Sequence, residues 1–259
     1  MRHCDCDMGM RMTETTKGFW GLLTSAEQGD LSAAGRTRVY KPGRILCHQG
    51  DLATHLFVLT TGSVKIIFDT ADGRRRVVAL RGNGDIIGEL AGETGGERTA
   101  TVQAIHDVHA LIVAYERFLS FLDSHPRAAH AYVRVMIQRW GEAAAKLGMV
   151  SVTSGKQRLA ELLLELAERH GNAVDGEIHV AMRLSQEELA SLANTSRPTL
   201  NREFKKWRRR GFIRTGPRRF TIVDSQGLRK AAGQQNVTRP ATAARPAAAR
   251  VRRRGVSGS

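Results

Sequence analysis

The sequence predicts an α+β chain, on three observations. Short β-branched runs separated by Gly- and Asp-bearing turns fill the segment from about Lys17 to Leu122. A heptad of apolar residues follows Pro126. Beyond the heptad lie two short helices with N-caps and a basic hairpin. A chain of 259 residues with 41% hydrophobic content suits one or two folded units with a real core. Five segments are expected: a lead at 1–16, a β-rich unit at 17–125, a long helix and hinge at 126–155, a basic C-terminal unit at 156–232 and a tail at 233–259.

The β segment is expected to form a compact sandwich or roll. Its strands are read at 57–62, 64–68, 76–80 and 109–115, with turns at Pro42-Gly43, Gly50-Asp51, 71–73 and 83–85. The lead carries no apolar core of a signal segment, and Met8, Met10 and Met12 leave room for a later start codon, which intact mass would settle. The tail from Gly233 holds six arginines and no acidic residue, so it is expected to be disordered. No run reaches the ~18–20 apolar residues of a membrane helix, so no membrane partner is expected.

In the long helix, Ala129, Val133, Met136, Trp140, Ala143, Leu147 and Val150 alternate by four and three. That spacing fits a parallel dimer seam better than a helix packed only on its own domain. The partner would be a second copy. Ser151 to Gly155 reads as a hinge. A second helix then runs from about Lys156 to His170, with Leu159, Leu162, Leu163 and Leu166 on one face.

Ser185 and Glu188 make a capping box before Leu189 and Leu192. Asn194-Thr195 turns the chain. Ser196 caps a second helix, whose first turn tolerates Pro198. Leu200, Phe204 and Trp207 face inward, and Arg197, Asn201, Arg202, Lys205 and Arg208 face outward. Segments 212–214 and 220–223 flank a basic turn and read as a wing. From Ser196 to Arg219 there are ten Lys or Arg and one acid. With a net charge of +15, this winged helix-turn-helix implies a double-stranded DNA partner. Arg197 and Arg202 are placed to read guanine edges. Ser185, Thr195, Ser196 and Thr199 suit phosphates, and Arg218 and Arg219 suit the backbone or minor groove.

The segment from Gly43 to Lys65, followed by Gly88-Glu89-Leu90-Ala91 and Glu97-Arg98-Thr99-Ala100, resembles a cyclic-nucleotide-binding β-roll with its phosphate-binding cassette. With the dimer helix and winged helix behind it, the stretch from about Lys17 to Ala232 resembles the Crp/Fnr family of bacterial transcription regulators. The resemblance implies a cytoplasmic, homodimeric regulator with a small effector, cAMP favoured over cGMP, and RNA polymerase as a further partner. By the same resemblance, Gly88, Glu89, Leu90, Ala91, Arg98 and Thr99 contact the nucleotide. Arg98 would pair with its single negative charge, and Glu89 would accept from the ribose 2′-OH. The alternative is that Glu89 and Arg98 simply pair with each other.

Two departures are visible. The family's Thr-Ser pair that meets adenine from the dimer helix falls on Ala143 and Ala144, which have no hydroxyl. The family's Arg-Glu-Thr in the recognition helix is Arg197-Pro198-Thr199, so its usual operator is not assumed.

Other functions fit less well. Three cysteines, Cys4, Cys6 and Cys47, suit a reducing compartment and do not supply four cluster ligands. His3 with Cys4 and Cys6 is read as incidental, and His48 and His55 are not singled out as haem ligands, so no metal or resident cofactor is expected. No nucleophile–base pair or P-loop is present, so the chain is not read as an enzyme. A ligand-independent or redox-responsive regulator, and a nucleoid-type binder driven by charge, are the alternatives. The nucleoid-type binder would bind with steep salt dependence and little sequence preference.

Overall fold

The computed structural model describes residues 18–90 and 96–234, with backbone alone at 149–151. The expected lead, Ala91, the side chain of Val150 and the tail beyond Gln234 lie outside the described residues.

The N-terminal unit opens with helices that the β texture did not announce. Helix α1 spans Phe19–Leu22, and α2 spans Ser25–Ala34. Thr24 starts α2 with a capping box: its hydroxyl accepts from Glu27 N–H at 3.2 Å, and the Glu27 carboxylate accepts from Thr24 N–H at 2.6 Å. Eight strands follow: β1 Gly35–Tyr40, β2 Ile45–Cys47, β3 His55–Thr61, β4 Val64–Asp69, β5 Arg75–Arg81, β6 Ile86–Ile87, β7 Thr101–Ala104 and β8 Val108–Ala114. They form two antiparallel sheets, ordered β1-β8-β3-β6 and β2-β7-β4-β5.

The central strand β3 is apolar on both sides because both sides are covered. Alternation sends Phe57 and Leu59 into the core between the sheets, with Val64, Ile87 and Val102. Leu56 and Val58 point the other way, into a second core with Phe19, Leu31, Phe118 and Val135. That second core is built by α1, α2, α3 (Tyr115–Ser124) and the long α4 (Pro126–Val152).

Helix α4 divides its faces. Ala128, Ala131 and Val135 are buried on the sensor, with Tyr132 and Met136 packed beside them. The exposed apolar stripe is Val133, Ile137, Trp140 and Leu147, with Trp140 78% exposed. Met136, expected in the seam, packs beside the sensor core, whereas Ile137 is exposed in line with Val133 and Trp140. At about 100° per residue, Met136 lies on the sensor side of the Val133–Trp140 line and Ile137 on its outer side.

The predicted hinge is shorter than five residues. Helix α4 continues through Val152, and Gly155 already begins α5 (Gly155–His170), leaving Thr153 and Ser154 between them. Ser154 is held as an N-cap by a reciprocal box with Gln157.

Beyond α5 come β9 (Gly171–Val174), β10 (Glu177–Ala181), α6 (Gln186–Leu192), α7 (Arg197–Arg209), β11 (Ile213–Gly216), β12 (Arg219–Ile222) and α8 (Ser225–Ala231). The wing strands belong to a four-stranded sheet, β11-β12-β10-β9. The wing turn is tighter than predicted. Gly216 pairs with Arg219, so only Pro217 and Arg218 turn the chain. Arg218 has φ +53°, the position after proline that a type II turn requires. Leu200, Phe204 and Trp207 of α7 are at most 3% exposed, in a core shared with Leu159, Leu163 and Leu189.

The two units touch. Helix α6 lies on β5, where the Ser191 hydroxyl donates to the Val77 carbonyl at 3.1 Å. Lys65 of β4 forms an ion pair with Glu188 of α6. Ile105 of the sensor is part of the C-terminal core, and Leu80 packs against it.

Candidate effector pocket and DNA-reading face

The loop before β7 places Arg98 by its backbone. Arg98 N–H donates to the Asp51 carbonyl at 2.7 Å, and the Arg98 carbonyl accepts from Gly50 N–H at 2.9 Å. The side chain then turns inward. Its guanidinium donates to the carbonyls of His55 at 2.5 Å and Gly88 at 3.3 Å, and lies 5.5 Å from the centroid of the Phe57 ring. Arg98 is only 3% exposed, and among the described residues no carboxylate pairs with it. A buried guanidinium without a counter-ion is costly, and such a site favours an anion.

Gly88 makes this approach possible. Its φ of +87° is in the left-handed region, and a Cβ there would collide with Nη1 of Arg98. Close by, His55 is held below its ordinary value, first by burial and then by the Arg98 charge. Cys47, also in this neighbourhood, is buried, and burial pushes its thiol up, away from the reactive thiolate.

Glu89 does not pair with Arg98. Its carboxylate accepts from Arg139 of α4 at 2.7 Å, and the same guanidinium donates to Asp85 at 3.0 Å. All three side chains are largely enclosed, at 10% exposure for Glu89, 15% for Arg139 and 24% for Asp85. The cassette is thus bolted to the long helix by one arginine. Sequence reasoning placed Arg139 only as a charge off the seam. The available signal was its spacing: Ala128, Val135 and Arg139 share one helical stripe, so a charge there faces the sensor.

Other predicted positions separate. Thr99 is exposed, and Leu90 is 66% exposed. Ala143 and Ala144 lie on the exposed side of α4, Ala144 in line with Trp140 and Leu147.

The DNA half follows the predicted arrangement closely. The Ser185 hydroxyl accepts from Glu188 N–H at 3.2 Å, and Ser196 does the same for Thr199 N–H at 3.2 Å. Arg197, Asn201, Arg202, Lys205 and Arg208 are exposed along one face of α7, and Pro198 is exposed in its first turn. Arg218 and Arg219 are exposed on the wing. Thr195 is half-buried beside Gly155 at the start of α5. Arg158 of α5 donates to the Ala193 and Asn194 carbonyls at 3.1 and 2.7 Å, and also to Thr153. It therefore ties the hinge to the turn between α6 and α7.

Residues 37–125 match the cyclic nucleotide-binding domain, and residues 157–231 match the Crp-like helix-turn-helix domain. The chain is 31% identical to the cyclic AMP receptor protein of Thermus thermophilus over 200 residues, which cover 77% of this chain and 88% of that protein. The chain belongs to the Crp/Fnr family of transcription regulators. Another family member, the CRP-like cAMP-activated global transcriptional regulator of Mycobacterium tuberculosis, is 30% identical over 217 residues, 82% of this chain and 96% of that one. Among solved structures, the c-di-GMP responsive regulator CLP of Xanthomonas campestris superposes with a TM-score of 0.67 at 21% identity, covering 77% of this chain and 99% of that one. At that identity it supports the Crp/Fnr fold alone. The winged helix and the nucleotide-binding roll are therefore family features, and no helix among the described residues is long and apolar enough to cross a membrane.

Proposed function

We propose that this chain is a homodimeric transcription regulator gated by a cyclic nucleotide, with cAMP favoured because two relatives are named for it. The observation that carries this reading is Arg98, a guanidinium 3% exposed and without a carboxylate partner among the described residues. A cyclic phosphodiester supplies the missing charge through charge-assisted hydrogen bonds. Glu89 gives one oxygen to Arg139 and keeps the other for the ribose 2′-OH. Gly88 and Leu90 bring backbone to the ligand. Ala143 and Ala144 offer no hydroxyl to the base, so discrimination between adenine and guanine rests on shape and on groups other than this pair.

The stripe Val133, Ile137, Trp140 and Leu147 pairs with the same stripe of a second copy. Effector binding at Glu89 acts on α4 through Arg139, and so on the spacing of two α7 helices, which reach successive major grooves about 34 Å apart. Arg197 and Arg202 read base edges; Ser185, Ser196, Thr199, Arg218 and Arg219 hold the backbone. RNA polymerase and the cytoplasm follow from the same reading.

Calorimetric titration of nucleotide-stripped protein with cAMP, and with cGMP beside it, tests the reading. Micromolar or tighter binding that Arg98→Ala abolishes is the expected result. No heat with either nucleotide would make this a regulator of the same fold without a cyclic-nucleotide signal.

A further inference from the structure

The sensor enters the C-terminal unit at one turn. Ile105, between β7 and β8, is 2% exposed and belongs to the C-terminal core. Its N–H donates to the Ser63 carbonyl at 2.9 Å, which binds this turn to the one between β3 and β4. Gly62 permits the close approach: its φ is +90°, and a Cβ there would strike the Asp107 carbonyl. His106 sits at the contact. Its Nδ1 is 2.7 Å from the Ser63 hydroxyl, and its Nε2 is 3.4 Å from the carbonyl of Ala181 on β10. One neutral tautomer satisfies both: Ser63 donates to Nδ1, and Nε2–H points at Ala181.

His170 ends α5 and lines, with His106 and Ser63, a cavity of about 1100 Å³ between the sensor and the C-terminal unit. Burial there holds His170 down to about 4, with His106 and then Arg169 as like charges. The nearby acids are already engaged: Glu165 pairs with Arg169 at 3.2 Å, and Asp107 pairs with Lys41 at 3.1 Å. Glu161 of α5 is raised by burial. The facing elements bring both signs, Arg76 and Arg81 from β5 and Glu142 and Lys146 from α4, with Arg158 committed to backbone carbonyls. No carboxylate among the described residues pairs with either imidazole.

We propose that His170, facing His106 across this cavity, is a proton-sensitive clasp: the sensor and the DNA-binding unit stay docked while the His170 imidazole is neutral and part as it gains a proton. The inference depends on the docked geometry and not on the effector. The sign is fixed by His170. Its docked value lies below the ordinary 6.5, so docking is complete above that pH and weakens as pH falls towards 4. At pH 5.5 the ratio of undocked to docked protein rises by up to about tenfold.

The test is pulsed electron spin resonance between nitroxides at Asp72→Cys and Asp175→Cys, one on each unit. It uses the full chain with Cys4→Ser and Cys6→Ser, diluted with unlabelled chain. At pH 8 one narrow distance is expected. At pH 5.5 a second, broader population should grow up to about tenfold; His170→Gln should flatten that growth, and His106→Gln, which removes the facing imidazole, should reduce it. An unchanged distribution at pH 5.5, or the same growth in a folded variant, overturns the clasp. If His170→Gln fails to fold, His106→Gln decides the outcome alone.

Discussion

Removing the Arg139 side chain isolates the bolt between cassette and long helix. Arg139→Met keeps most of the stem and deletes the charge. It leaves Glu89, 10% exposed, and Asp85, 24% exposed, as neighbouring carboxylates without their shared cation. Removing one partner of a buried pair costs ~3–5 kcal/mol. Asp85 keeps a backbone donor, Gly82 N–H at 2.8 Å, so the lower end, about 3 kcal/mol, is expected for the sensor. The assay is urea unfolding followed by tryptophan fluorescence, to which Trp20 reports from the sensor, its backbone N–H donating to the Gly84 carbonyl at 3.0 Å beside Asp85. Glu89→Gln removes the acid instead. In the double variant neither charge is stranded, so its loss should fall short of the summed single losses by at least ~1 kcal/mol. Additivity within ~0.5 kcal/mol would refute the claim that Arg139 and Glu89 act as a pair.

Three other outcomes are expected. Glu203 is 6% exposed and has one carboxylate oxygen with no hydrogen-bond partner among the described residues, so Glu203→Leu should stabilise the C-terminal unit by ~1–2 kcal/mol, read as a raised melting temperature; a lowered one would mean that the carboxylate has a partner. Gly88→Ala should cost ~1–2 kcal/mol of stability, because its φ of +87° disfavours a side chain, and should abolish the calorimetric nucleotide signal by displacing Arg98; retained binding would show that Arg98 need not occupy this position. On sites selected from random DNA, Arg197→Ala should lose ~1–3 kcal/mol and relax preference at one base pair; a uniform loss across sequences would make Arg197 a phosphate contact.

The C-terminal unit was legible because its signals are local. Ser185 with Glu188 and Ser196 with Thr199 are three residues apart, so the caps are written in consecutive letters. The β-roll was legible only in its most apolar strands. β1 is an edge strand with four exposed positions, and β6 has two residues, so neither carries an alternating pattern long enough to read. The spacing of the long helix fits 133, 136, 140 and 133, 137, 140 equally well, and only the folded sensor, against which Met136 packs, separates the two. Arg139 was not legible as a partner of Glu89, fifty residues away, since only the folded sensor brings α4 across the cassette. Nor was the place of Thr195 beside Gly155, forty residues back in the chain.

The connection between α4 and α5 is two residues long, and Arg158 fastens the second side of it to the reading turn. The C-terminal unit therefore has few torsions with which to correct its own heading. Its azimuth is inherited from the length of α4. One residue added to that helix turns everything beyond it by about 100° and advances it about 1.5 Å. The number of residues between Arg139 and Thr153 acts as a phase: it sets which way α7 faces relative to the sensor before any base is touched. Insertions of one or two residues there should abolish operator recognition, whereas insertions of seven, two turns of helix, should come closest to restoring the facing while lengthening the arm by about 10 Å.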